Sequence, residues 1–289
     1  MNLFIEIVKF LIYSIIIVLI SKYALVKILR KIGELLSLKP KVVGNIAGIA
    51  TSIPELLTVS FSAFAGLIAT STYNIISSNV INLLQYSAAV ILNKNQKMLK
   101  NKAIQIDLIL VTTTIFIPII MMIFDFENNV ILVPIFIILF FLFYKITNNA
   151  HKLYMAKTEK KDKENSLNKN ENDIKKNITI KTNISKKIGT VVIQTILLVI
   201  VAIVLYLVGN LLSEVLNILC KRFGIPEIII GILLGFITSL PELITFFEAQ
   251  KHHTDNKEGV VEATSNLLTS NIMNLFVIQS IGILIYLIF

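Results

Sequence analysis

Two segments set a proline beside an ionisable carboxylate in apolar surroundings: Thr51-Ser52-Ile53-Pro54-Glu55-Leu56-Leu57 and Thr238-Ser239-Leu240-Pro241-Glu242-Leu243-Ile244. Proline offers no N–H to the carbonyl four residues earlier, and its ring pushes that turn of helix open. Pro54 therefore frees the carbonyl of Ala50, and Pro241 frees that of Ile237. A bare carbonyl in hydrocarbon costs several kcal/mol, and a bound cation is one partner that can satisfy it. Thr51 and Glu55 are spaced i, i+4 with Ser52 one turn from the carboxylate, and Thr238, Ser239 and Glu242 repeat the pattern. Further on, Asn74, Ser78 and Asn82 form an i, i+4, i+8 polar stripe, which Asn266, Ser270 and Asn274 repeat. Every candidate ligand is an oxygen donor, a set that suits a hard cation such as Ca²⁺ or Na⁺ and not a soft transition metal.

A single proline in a membrane helix is often only a kink, and Ser/Asn stripes are often glue between helices. The doubled occurrence beside an intramembrane carboxylate favours function, because such carboxylates are costly to bury. Other chemistries find no support. Cys220 is the single cysteine, so no disulfide framework or CxxC site exists, and His252 and His253 are adjacent within a polar connection. No Gly-rich phosphate loop, nucleophile elbow, paired-Asp dyad or HExxH motif occurs. The chain reads as a non-enzyme with no cofactor. Asp107, Glu214, Glu227, Glu248 and Glu262 fall near helix ends and receive no role, the last two being expected at the interface.

The elements that carry these residues are apolar spans. Of 289 residues 55% are hydrophobic and 16% charged, against about 25% charged in soluble domains, and runs of about 20 apolar residues recur. Eight helices are predicted, over 4–29, 42–66, 68–92, 104–124, 129–147, 189–219, 226–249 and 260–288, the first retained and not a cleaved signal. Residues 1–147 form a first membrane half and 189–289 a second. Between them, 148–188 is Lys/Asn/Glu-rich with few large apolar residues, and reads as a mobile linker. Of the 27 basic residues, all but Lys9, Lys221 and Arg222 fall on or beside the connections after helices 1, 3, 5 and 7. The positive-inside rule then puts the N-terminus outside the cell membrane and the linker in the cytoplasm. That distribution also accounts for the net charge of +9 without a nucleic-acid partner.

The two motifs are a repeat. The heptapeptides agree at five of seven positions, and Asn74–Leu83 agrees with Asn266–Leu275 at five of ten. They lie on the second and seventh helices, an odd number of crossings apart, so the copies run in opposite directions. The expected fold is an all-α, multi-pass membrane bundle with two inverted-topology repeats, 44–84 and 231–275, an architecture common among secondary transporters.

At these residues the chain resembles the sodium/calcium exchanger family of the cation/Ca²⁺ antiporter superfamily, whose repeats read roughly G-T-S-x-P-E-L followed by G-S-N-x-x-N or G-S-N-x-x-D. The resemblance implies exchange of Na⁺ for Ca²⁺ by alternating access. Glu55 and Glu242 would be carboxylates shared by both ions, and Thr51, Ser52, Thr238 and Ser239 would add hydroxyl or carbonyl oxygens. Ser78, Asn82, Ser270 and Asn274 would complete flanking sites, with carbonyls near Gly48 and Gly235 lining the outer one. The motif glycines are replaced by Ala50, Ile237, Ser77 and Thr269. The family's last two helices have no counterpart before Phe289, which leads to the expectation of a homodimer or a helper membrane subunit. An H⁺-driven or other divalent-cation antiporter, or a transport-inactive cation-binding membrane protein, are the alternatives.

Overall fold

The computed structural model describes residues 2–20, 23–24, 27–28, 31, 40–124, 126, 129–166, 184–252 and 256–289. It is all helix, with no strand among the described residues. In chain order the helices are α1 (Leu3–Ile20), α2 (Pro40–Thr51), α3 (Ile53–Phe64), α4 (Ile68–Leu92), α5 (Lys102–Ile123), α6 (Leu132–Ser166), α7 (Ile184–Asn217), α8 (Glu227–Thr238), α9 (Leu240–His252), α10 (Asn256–Ile272) and α11 (Gln279–Ile288). A π-helical segment, Ile218–Arg222, ends α7, and another, Met273–Ile278, joins α10 to α11. Taken as continuous runs, eight among the described residues are long and apolar enough to cross a membrane, as the sequence predicts.

The second and seventh spans are broken where the prolines require. At Ser52 (φ −80°, ψ 0°) α2 gives way to α3, with Pro54 in the first turn of the new helix. Ser239 (φ −79°, ψ 0°) makes the same break between α8 and α9. A three-residue turn returns α3 into α4. Its Gly66 has φ +75°, a left-handed value that side-chain-bearing residues seldom adopt. The N–H of Gly66 bonds the carbonyl of Ala63 and that of Leu67 the carbonyl of Ser62, closing the end of α3.

Each half-helix packs on the other repeat. α2 lies along α10, and α8 along α4. Glycine permits the close approach. A Cβ on Gly48 would lie 2.6 Å from the carbonyl oxygen of Asn266, and one on Gly235 would lie 2.5 Å from that of Asn74. Gly44 meets the carbonyl of Glu262, and Gly231, its counterpart, that of Thr70. The two pairs of crossings are related by the repeat. Two apolar clusters flank this centre. One joins Tyr86, Phe136, Phe143, Phe246 and Phe276, and the other joins Phe10, Ile17, Leu212, Leu216 and Leu234. Outside them, large apolar side chains such as Ile138, Phe141, Ile203 and Leu207 stand exposed, as lipid-facing residues do.

Two expectations need correction. The linker does not begin at residue 148, because α6 continues to Ser166, and α7 starts at Ile184, inside the linker's other end. A helix already nucleated by a membrane span can propagate through Lys- and Glu-rich sequence without a new nucleation cost. The middle of the linker, 167–183, lies outside the described residues, as does His253. Asp107, which received no role from the sequence, holds two partners. It is fully buried, accepting from Thr147 Oγ1 at 2.6 Å and facing His151 Nε2 at 2.6 Å. From α2, Lys41 Nζ donates to Asn148 Oδ1 at 3.0 Å, tying α6 to that helix as well. Glu262 is likewise buried.

Candidate cation site

The two breaks meet at the centre of the bundle. Thr51 and Ser52 end α2, and Glu55 occupies the first turn of α3; Thr238 and Ser239 end α8, and Glu242 occupies the first turn of α9. Ser78 and Asn82 come from α4, Ser270 from α10, and Asn274 from the π segment that follows it. All ten are 1% exposed or less.

The contacts run between repeats. Ser52 Oγ lies 3.0 Å from Ser270 Oγ and donates to the carbonyl of Gly48 at 2.9 Å. Ser270 Oγ in turn donates to Glu242 Oε1 at 3.1 Å. In the mirrored half, Ser78 Oγ lies 3.4 Å from Thr238 Oγ1 and 3.3 Å from the carbonyl of Gly235. Ser78 and Thr238 are the hydroxyls beside Glu55, as Ser270 and Thr51 are beside Glu242. Each carboxylate is thus surrounded by the other repeat's broken helix and by the helix of its own repeat that follows. The Gly48 and Gly235 carbonyls are engaged by these hydroxyls and by the N–H groups of Ser52 and Ser239.

The unmatched atoms at this centre are acceptors. Neither oxygen of Glu55 has a hydrogen-bond partner, and Glu242 Oε2, Asn82 Oδ1 and Asn274 Oδ1 also lack one. Buried acceptors of this kind are expensive to leave bare, and carboxylates more so. A dehydrated hard cation is complementary to such a set, because it accepts several oxygens at once and brings opposite charge. Two carboxylates balance one Ca²⁺ or two Na⁺.

The sequence reading did not single out Thr58 and Thr245. Each hydroxyl accepts from an asparagine amide, Asn74 Nδ2 at 2.7 Å and Asn266 Nδ2 at 2.6 Å, and so anchors the outer member of each stripe. It also passed over Asn79 and Asn271, which bond across the repeats. Both pairs were identical in the two copies, which is the signal that could have found them.

Two clefts flank the crossings and are related by the same repeat. One, of about 600 Å³, is lined by Tyr73, Ser77, Val80 and Ile232 together with Ile119 and Ile123 of α5. The other, of about 260 Å³, is lined by the equivalent Ser265, Thr269, Ile272 and Asn45 with Tyr144 and Thr147 of α6. α2 and α8 enter from opposite ends of the bundle, so the clefts belong to opposite ends too. The second includes Lys41.

In comparisons with known proteins, the family described as sodium/calcium exchanger protein matches residues 7–147 and 193–288. No curated protein matches the chain. Among solved structures, the sodium-calcium exchanger NCX_Mj, soaked with Na⁺ and Sr²⁺, is similar at 22% identity and a TM-score of 0.49, over 98% of this chain and 83% of that one.

Proposed function

The chain belongs to the sodium/calcium exchanger family, and on that footing we propose that it is a secondary active transporter exchanging Na⁺ for Ca²⁺ across the cell membrane by alternating access. The observation that carries this reading is the cluster of unpartnered, fully buried acceptors around Glu55 and Glu242, with no cationic side chain among the residues that form it. Glu55 and Glu242 supply the charge. Thr51, Ser52, Thr238, Ser239, Ser78 and Ser270 supply hydroxyl or carbonyl oxygens, and Asn82 and Asn274 supply amide oxygens.

Ca²⁺ and Na⁺ compete for the same two carboxylates, so occupancy by one displaces the other. The neutral hydroxyls and amides complete each ion's shell without adding charge, so the filled site is neutral with one Ca²⁺ or two Na⁺. A neutral site can change its exposure within hydrocarbon at far lower cost than a charged one. Two repeat-related clefts at opposite ends of the bundle support a mechanism in which one opens as the other closes. The basic residues of the connections support an N-terminus outside and an α6–α7 connection in the cytoplasm.

The test is ⁴⁵Ca²⁺ uptake into Na⁺-loaded vesicles containing the purified protein. Uptake that requires the Na⁺ gradient and is abolished by Glu55→Gln and by Glu242→Gln is the expected result. Uptake that ignores Na⁺ and follows a pH gradient would transfer the coupling to H⁺. Normal flux in either glutamine variant would sink the shared site.

A further inference from the structure

Two proposed ligands are amides, and an amide has only one end that a cation accepts. Asn82 and Asn274 can each turn Oδ1 or Nδ2 toward the site, and the wrong end would present a donor to a positive ion. Something must fix the choice. We propose that Asn79 and Asn271, which are not among the proposed ligands, are positioning residues that hold Asn82 and Asn274 with their oxygens facing the cation. This rests on the cation-site reading above.

The orientation follows from backbone carbonyls, which only accept. Asn79 Nδ2 lies 3.4 Å from the carbonyl oxygen of Asn271 and 3.5 Å from that of Thr114. Asn271 Nδ2 lies 3.1 Å from the carbonyl oxygen of Asn79. With the nitrogens committed, the oxygen of each amide must face the other way. Asn79 Oδ1 then meets Asn274 at 3.1 Å, and Asn271 Oδ1 meets Asn82 at 3.2 Å. Facing an acceptor, Asn274 and Asn82 must each offer Nδ2, which leaves their own Oδ1 atoms turned away. Neither of those two oxygens has a hydrogen-bond partner in the protein. All four asparagines are fully buried, so water does not relax the constraint.

The arrangement is a chain of four asparagines across the two repeats, with the reciprocal Asn79–Asn271 pair at its middle and Asn274 and Asn82 at its ends. Asn79 of α4 sets Asn274 in the second repeat, and Asn271 of α10 sets Asn82 in the first. Ser270 reinforces one arm, since its hydroxyl receives a second bond from Asn82 Nδ2 at 3.3 Å. Without the Asn79 oxygen, the Asn274 nitrogen loses its acceptor and is free to turn toward the unpaired carboxylate oxygens, where it competes with the ion.

Alanine at Asn79 removes the director, and an aspartate at Asn274 removes the need for one, because a carboxylate presents oxygen at both ends. The measurements are the Ca²⁺ concentration for half-maximal Na⁺-dependent ⁴⁵Ca²⁺ uptake in vesicles and the Ca²⁺-induced rise in melting temperature in detergent. N79A should raise the half-maximal concentration by about tenfold, the factor that one charge-assisted hydrogen bond to the wrong partner corresponds to. The double variant N79A/N274D should be no more impaired than N274D alone in both measurements, because the Asn79 oxygen that an aspartate would face is gone. N271A with N82D should behave in the same way. If N79A harms the protein only by weakening the helix crossing, the double variant will be as impaired relative to N274D as N79A is relative to wild type, and the proposal fails. It fails also if N79A leaves both readouts unchanged, or if neither N79A nor its double folds while N274D does. If Glu55→Gln transports Ca²⁺ normally, it is the cation-site reading that fails.

Discussion

Replacing Glu55 by glutamine should move two stabilities in opposite directions. Both oxygens of Glu55 are buried and without a hydrogen-bond donor. A buried, uncompensated carboxylate costs several kcal/mol even after relaxation, so the ion-free protein carries that strain and the glutamine variant does not. Taking about 2 kcal/mol as the part recovered, and roughly 2–4 °C per kcal/mol for a chain of this order of size, the ion-free variant should melt about 4–8 °C above the ion-free wild type. Ca²⁺ reverses the ranking. At a hundred times its dissociation constant a ligand stabilises by about 2.7 kcal/mol, which should lift the wild type by roughly 5–10 °C. The variant, with one unit of charge missing beneath the ion, should shift hardly at all. Glu242→Gln should show a smaller gain without Ca²⁺, because Ser270 Oγ already donates to Glu242 Oε1. The assay is thermal unfolding of detergent-purified protein with and without Ca²⁺. An ion-free Glu55→Gln protein less stable than wild type would refute the reasoning, as would one that retains the Ca²⁺ shift.

Gly48→Ala and Gly235→Ala should each destabilise by about 1–3 kcal/mol from overpacking and cut exchange by moving Ser270 or Ser78, whose backbone nitrogens lie within 3.0 Å of the added Cβ; flux and melting temperature check both. In a Cys220→Ser background, cysteines at Gln96 and Glu164 should be labelled by an impermeant maleimide only from the cytoplasmic side, and one at Phe126 only from outside; Asn95 is unsuited to this, being buried against Gln250. Asp107→Ala should lower stability by about 1–3 kcal/mol by stranding Thr147 and His151, read as melting temperature, while leaving the Ca²⁺-induced shift intact. Glu248→Gln, at an exposed position, should leave flux close to that of wild type.

The parts legible in the sequence were those written in local patterns. Pro54 and Pro241 announce their breaks because a missing N–H acts within one turn, and the apolar runs announce the spans. The inverted relation needed only the odd number of crossings between two matching heptapeptides. What could not be read was pairing across the chain. Asn79 looks like one more polar residue on α4 until α10 is placed against it, and only then does its oxygen become the neighbour of Asn274. Asp107 sits one and a half turns into α5, and its burial depends on α6 continuing past the span so that His151 can reach it. That continuation defeated a reading based on composition, since Lys/Glu-rich sequence reads as unable to build a core while being well able to extend a helix. Thr58 and Thr245 had a visible signal, identity in both copies, but hydroxyls one turn beyond a proline are easily taken for packing.

The interleaving of the two repeats has a consequence for how the protein is made. Ser52 and its partner Ser270 are 218 residues apart, which at roughly 5–20 residues per second is about 10–40 s of synthesis. For most of that interval α2 and α3 are in the membrane with Glu55 in place and neither α8 nor α10 to cover it. The first half must therefore wait as an incomplete bundle whose polar seam has only lipid, water or insertion machinery for company. Its two halves should accordingly find each other when expressed as separate polypeptides divided within the α6–α7 connection, because the decisive contacts form late in any case. Expressed alone, the first half should be held by quality-control proteases as an unassembled subunit, though it carries five of the eight spans.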